Sequence, residues 1–372
     1  MPLDVSLGPA TSETMTRRKI AIVLFNLGGP DRPESVRPFL LNLFRDPAIL
    51  RVPFFVRPLL AWIIASARTK PATANYAILG GKSPLLDLTN DQARQLERAL
   101  PEMDARCFVA MRYWHPFSEA VAAGVRDWNP DEVMLLPLYP HYSTTTTGSS
   151  LTAWREAASR VGLTKPVTSL CCYHSDQGFV ASTAAIVRRS YDAARAEMDS
   201  TLGLRVLFSA HGLPETIIKN GDPYQFQMEQ TVAAVTAQLG INDLDSAICY
   251  QSRATPQKWI SPSTEQEIER AAHDKVAILV VPIAFVSEHS ETLVELDVEY
   301  REIAEGLGVP GYFRAPAQNS DPAFIESLAD LVRESLRHGP GLCSFVGGRT
   351  CPLQFKDCPH ARGGTAVLAQ AA

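Results

Sequence analysis

The sequence has no surplus of positive charge: 40 acidic side chains face 35 basic ones, for a net charge of −5 over 372 residues. A nucleic-acid surface normally carries a basic footprint, so that class is excluded. No apolar run reaches the ~20 residues that a membrane-spanning helix needs. The nearest approach, Val52 to Ile64, is broken by Arg57 and two prolines. There is no P-loop and no dinucleotide fingerprint: Gly28-Gly29-Pro30 lacks both the spacing and the lysine, which excludes a nucleotide cofactor. Residues 1–18 hold Ser, Thr, Gly and Pro without an apolar core. They read as a flexible tail, not a secretory signal, and the mature protein is expected in a bacterial-type cytoplasm. Seven cysteines, an odd number, argue against a disulfide framework. No two of them stand two residues apart, as in a zinc knuckle.

What is present is a chain of ordinary globular composition, 46% hydrophobic and 20% charged, long enough to bury two cores. Short apolar runs of the kind that make buried parallel strands recur at 19–25, 107–112, 132–138, 167–173, 206–210, 247–251 and 277–281. Helical stretches separate many of them, among them 33–44, 89–100, 222–239, 264–272 and 321–337. That alternation predicts right-handed crossovers and an α/β fold. The expected architecture is two similar doubly wound, Rossmann-like lobes with parallel sheets, residues 19–174 and 175–337. An active-site cleft lies between them, and a cysteine-bearing extension follows at 338–372.

Two strand exits carry the chemistry. Val206 to Ala210 ends on His211, where Gly212-Leu213-Pro214 forces a turn. Ala277 to Val281 leads through Pro282 to Ser287-Glu288-His289-Ser290-Glu291. Ligands of open parallel sheets bind outside the carboxyl ends of the strands, so this pair predicts a metal or proton-transfer site. On a helix opened by Ser287, Glu288, Glu291, Glu295 and Glu299 fall three and four apart, along one face. Most charged stripes are solvated surface, but this one starts at the exit facing His211. It reads as a proton or metal conduit, and repulsion along it should raise at least one carboxylate pKa.

These segments resemble the signatures of the ferrochelatase family: Ser209-Ala210-His211-Gly212-Leu213-Pro214, Val281 to Leu293, Asn26 to Pro30, Met111-Arg112-Tyr113, and Leu138-Tyr139-Pro140 through Gly148-Ser149-Ser150. Five motifs in the family's order span roughly residues 19 to 335. The resemblance implies an enzyme that inserts ferrous iron into protoporphyrin IX to form protoheme, releasing two protons. A coproporphyrin ferrochelatase, or another class II tetrapyrrole chelatase, is the alternative. It implies His211 and Glu291 as the catalytic pair and as ligands to the incoming iron, with Glu288 and Glu295 extending the acidic line. Arg112, Tyr113, Tyr139 and Ser149 are expected on the porphyrin, Arg112 through a propionate, with an arginine that caps a neighbouring loop as the competing reading. The apolar stretch 49–67 is expected to form a lip, resting peripherally on the inner membrane, that admits the macrocycle. A monomer and a homodimer both stay open.

Cys343, Cys351 and Cys358 crowd a short Gly- and Pro-bearing stretch too poor in apolar residues to fold alone. A metal staple is expected there. Zinc could take these three with His360; a [2Fe–2S] cluster, which many ferrochelatases resembling this chain carry, wants four thiolates. The spacing is wider than in the family's animal enzymes, whose fourth cysteine corresponds to Thr144, so Cys171, Cys172 or His360 would have to replace it. The cluster is the expectation retained.

Overall fold

The computed structural model describes residues 17–252 and 257–362. The expected N-terminal tail therefore lies, up to residue 16, outside the described residues, as does the end of the C-terminal extension. Strands run in chain order as β1 (Lys19–Asn26), β2 (Asp104–Met111), β3 (Glu132–Pro137), β4 (Val167–Leu170), β5 (Leu204–His211), β6 (Ser246–Gln251), β7 (Ala277–Pro282), β8 (Tyr312–Arg314) and β9 (Gly341–Cys343). Helices α1 (Val36–Arg45), α2 (Arg57–Ile78), α3 (Leu85–Arg98), α4 (Ser118–Trp128), α5 (Thr147–Val161) and α6 (Gln177–Glu197) fall within the first half. The second half holds α7 (Glu215–Lys219), α8 (Tyr224–Leu239), α9 (Thr264–Asp274), a π-helix (Glu291–Glu299), α10 (Tyr300–Gly306) and α11 (Pro322–His338).

The strands form two sheets, β2-β1-β3-β4-β9 and β6-β5-β7-β8, and every pairing is parallel. Leaving β9 aside, the order is the same in both: second strand, first, third, fourth. This is the doubly wound pattern in which chain direction reverses beside the first strand, and the crevice at that switch point is where ligands sit. The central strands are apolar because both faces are covered; all six residues of β3 and of β7 are buried.

The C-terminal extension is not a detached tail. Helix α11, which precedes the extension, packs on α3 and α6, and its Phe324, Leu328 and Val332 join the core beneath the first sheet. Strand β9 then pairs with β4 as a fifth strand, Leu170 beside Cys343. Helix α6 serves both cores, Phe179 in one and Val180 with Ala184 in the other. One local expectation also changes. The acidic segment expected to run as a helix from Ser287 becomes helical only at Glu291, and as a π-helix. Its i→i+5 hydrogen bonds widen each turn, so Glu291, Glu295 and Glu299, four apart, rise in one row.

Candidate active site

The second switch point lies between the exits of β5 and β7, and His211 is the last residue of β5. Its backbone is held from two sides. Tyr224 Oη donates to the His211 carbonyl at 3.0 Å, and Gly212 N–H donates to the Gln251 carbonyl at 2.8 Å. A Cβ at position 212 would stand 2.8 Å from that same oxygen, so the turn needs glycine there.

Across the crevice, Glu291 opens the π-helix, with its Oε2 2.9 Å from His211 Nδ1 and 3.8 Å from His289 Nε2. Burial works against a charged imidazole at His211, but the Glu291 carboxylate, with Glu295 behind it, outweighs burial and holds His211 above its ordinary value. Burial likewise opposes the charge on Glu291, and the two imidazoles overcome it, holding the carboxyl down to about 2. His289 goes the other way: burial keeps it below the ordinary imidazole value.

Glu295 is the next carboxylate in the row, and it is raised, by burial and by the charge on Glu291. It is densely held: Ser252 N–H donates at 2.9 Å, Gln251 Nε2 at 3.1 Å and Tyr300 Oη at 2.9 Å. Ser252 meets it from a left-handed backbone conformation, φ 65°, sparsely populated by non-glycine residues and concentrated at functional sites. Glu299 ends the row near Asn75 Nδ2, at 3.0 Å.

These groups line one end of a cavity of about 1060 Å³. The first sheet contributes Asn26, Leu27, Leu138 and Tyr139 from the exits of β1 and β3, its own switch point. The wall also carries Arg51 and Arg68 among apolar residues of α1, α2 and their connection. Among the described residues the cavity is thus lined by carboxylates from the π-helix and by cations from the lip and α2. Around that lip Phe54, Phe55, Leu59 and Trp62 are more than half exposed, Phe54 by 79%. Among the described residues no helix is long and apolar enough to cross a membrane.

The structure places the other expected residues elsewhere. Glu288 does not line the cavity: it accepts from Arg314 Nη1 at 2.7 Å and from the Ala317 N–H at 2.9 Å, because it precedes the π-helix and faces β8. Arg112, Tyr113 and Ser149 are off the cavity too. All three converge on Asp46, Arg112 Nη2 and Tyr113 Oη each donating at 2.8 Å, and Arg112 Nε reaching Ser149 Oγ at 2.7 Å. Tyr139 lines the cavity as expected from its position. Sequence inspection missed Tyr224, Ser252, Tyr300, Arg51 and Arg68. For Tyr224 a usable signal existed, the Gly-Asp-Pro-Tyr turn directly before a helix.

The thiols form a second buried centre. Cys343, Cys351 and Cys358 are all buried, against Cys171 and Cys172, whose sulfurs are 3.6 Å apart. Gln227 Nε2 donates to Cys351 Sγ at 3.1 Å. The hydrogen bond within each pair lowers one thiol and raises the other: Cys172 falls and Cys171 rises, Cys351 falls and Cys358 rises, while burial raises Cys343. Five buried thiols are enough in number for a group that takes four thiolates. Among the described residues, no three His, Cys, Asp or Glu side chains already stand in a metal-ligating arrangement.

Fold and cavity together define a class: a two-lobed parallel α/β protein with an imidazole–carboxylate pair at a switch point, facing a cavity of macrocycle size. Comparison with known proteins narrows this. The ferrochelatase family model matches residues 19–336. A ferrochelatase of Caulobacter vibrioides is 50% identical over 94% of this chain and 99% of its own, and one of Phenylobacterium zucineum is 48% identical over 94% and 100%. Among solved structures, the sirohydrochlorin chelatase SirB of Bacillus subtilis in complex with cobalt aligns over 86% of this chain and 96% of its own, at 13% identity and a TM-score of 0.49. The chain belongs to the ferrochelatase family.

Proposed function

We propose that the cavity between the sheets takes protoporphyrin IX, with His211 as the base for the pyrrole protons and the Glu291–Glu295–Glu299 row as their exit. As a ferrochelatase the chain is an enzyme, a lyase whose substrates are porphyrin and ferrous iron and whose product is heme. The ring loses two N–H protons as the dication enters, so charge balances with two protons released. A base must face the ring, and an anionic path must carry protons away. The 2.9 Å contact between His211 and Glu291 carries this reading. The imidazole can take a pyrrole proton, and the carboxylate both orients it and stabilises its charged form. Imidazole and carboxylate also suit passing ferrous iron without trapping it. Glu295, more basic than Glu291 and anchored by Ser252 and Tyr300, is the next proton acceptor outward.

Protoporphyrin is the ring the family relationship favours, and Arg51 and Arg68 in the cavity wall suit its two propionates. Tyr139 packs against the macrocycle. Arg112, Tyr113 and Ser149 act through Asp46, fixing the segment that leads to the lip. The exposed lip supports peripheral contact with the inner face of the cytoplasmic membrane; flotation with liposomes, lost on Phe54→Ser with Phe55→Ser, tests this. Cys343, Cys351, Cys358 and Cys172 are the residues that would hold a [2Fe–2S] cluster, a structural or regulatory group because none of the four lines the cavity. Cys172 is favoured as fourth because Gln227 touches both it and Cys351. The test of the activity is anaerobic incubation with ferrous iron and each porphyrin, followed by absorbance. Faster consumption of coproporphyrin would reverse the substrate assignment.

A further inference from the structure

Three polar side chains interrupt the buried stripe of α8. Tyr224, Gln227 and Thr231, spaced three and four apart, lie among Met228, Val235 and Leu239 and are buried with them. Burying such groups costs stability unless each finds a partner, and each does. Tyr224 Oη holds the His211 carbonyl at 3.0 Å. Gln227 donates to Cys351 Sγ at 3.1 Å, and its Oε1 accepts from the Tyr142 N–H at 2.7 Å. Thr231 Oγ1 lies 2.8 Å from His141 Nε2 and donates to the His174 carbonyl at 2.6 Å. The turn before α8 touches the C-terminal segment directly: the Gly221 carbonyl accepts from the Asp357 N–H at 3.1 Å. A Cβ on Gly221 would come within 2.8 Å of the Lys356 nitrogen. The first two turns of α8 are thus gripped by the docked extension on one side, and grip the backbone of His211 on the other. Gln227 itself does not line the cavity.

We propose that Gln227 is a positioning residue for metal insertion. It locks α8 to the docked C-terminal segment, so that Tyr224 keeps His211 in register with Glu291. The proposal rests on His211 being the base. Its test is a double-mutant cycle in the full-length protein, Gln227→Leu with Tyr224→Phe, measuring kcat and the KM for porphyrin anaerobically. Each single variant should lower kcat roughly three- to tenfold, the loss of about one hydrogen bond. The KM should stay within about twofold of wild type. The double variant should be no slower than the slower single one, because both act on one path. Wild-type kcat in Gln227→Leu, a change confined to KM, or losses that multiply would overturn the proposal. Gln227→Met, closer in shape, should show the same kcat loss and serves if the leucine variant does not fold. His211→Ala assayed alongside separates the two ideas. If it is inactive while the Gln227 variants are normal, only the positioning role fails; if it is active, both fail.

Discussion

His211 Nδ1 and Glu291 Oε2 stand 2.9 Å apart across 80 residues of sequence, one at the end of β5 and the other at the start of the π-helix. The contact makes each group's protonation depend on the other, and that dependence can be measured. With the neutral imidazole as the proposed base, insertion should rise with pH as His211 loses its proton. Glu291 holds His211 above its ordinary value, so the wild-type acid limb should lie above ~6.5. In Glu291→Gln the opposing influence of burial dominates, and the limb should move to lower pH. The maximal rate should also fall, by ~100-fold if the carboxylate takes part in proton transfer. A pH–rate profile with an unmoved limb would separate Glu291 from the base.

Arg112→Leu should act on stability before binding. Asp46 is buried and Arg112 only 24% exposed, and removing one partner strands a charge held only by the Tyr113 and Ser149 hydroxyls and the Ala48 N–H. The cost should be roughly 2–3 kcal/mol, below the range for a fully buried pair. Urea unfolding measures it, and a titration with free and esterified porphyrin shows whether the propionates feel the change. Unaltered stability with weaker binding of the free acid alone would return Arg112 to the substrate.

The strand exits were legible because their signal is local: a buried apolar run must stop, and what stands at its end, His211 or the Ser287–Glu291 segment, faces the crevice. The doubling of the parallel α/β lobe was legible for the same reason. What stayed hidden depends on distant partners. Nothing around Glu288 announces Arg314, 26 residues on, and nothing around Arg112 announces Asp46, 66 residues back. A spacing of four carboxylates fits an α- or a π-helix equally, so the widened turn could not be read. Strand β9 is three residues long, too short for a period, yet it turns an apparent tail into part of the first sheet.

For the thiol pocket, protein purified anaerobically should be reddish-brown, with about two irons and two sulfides per chain. Cys351→Ser and Cys172→Ser should bleach it. Cys249→Ser, in the core of the second sheet, should leave the colour unchanged. Colourless wild-type protein, or stoichiometric zinc, would contradict the cluster assignment.

The most direct test of the central claim is insertion of ferrous iron into protoporphyrin by purified, folded His211→Ala, followed anaerobically by absorbance, with porphyrin binding measured in parallel by fluorescence quenching. On the proposed reading, His211 acts on the proton and metal steps and the ring docks on the apolar walls and lip. The variant should therefore bind porphyrin with near wild-type affinity and insert no detectable iron. Near-normal turnover by His211→Ala would contradict the account.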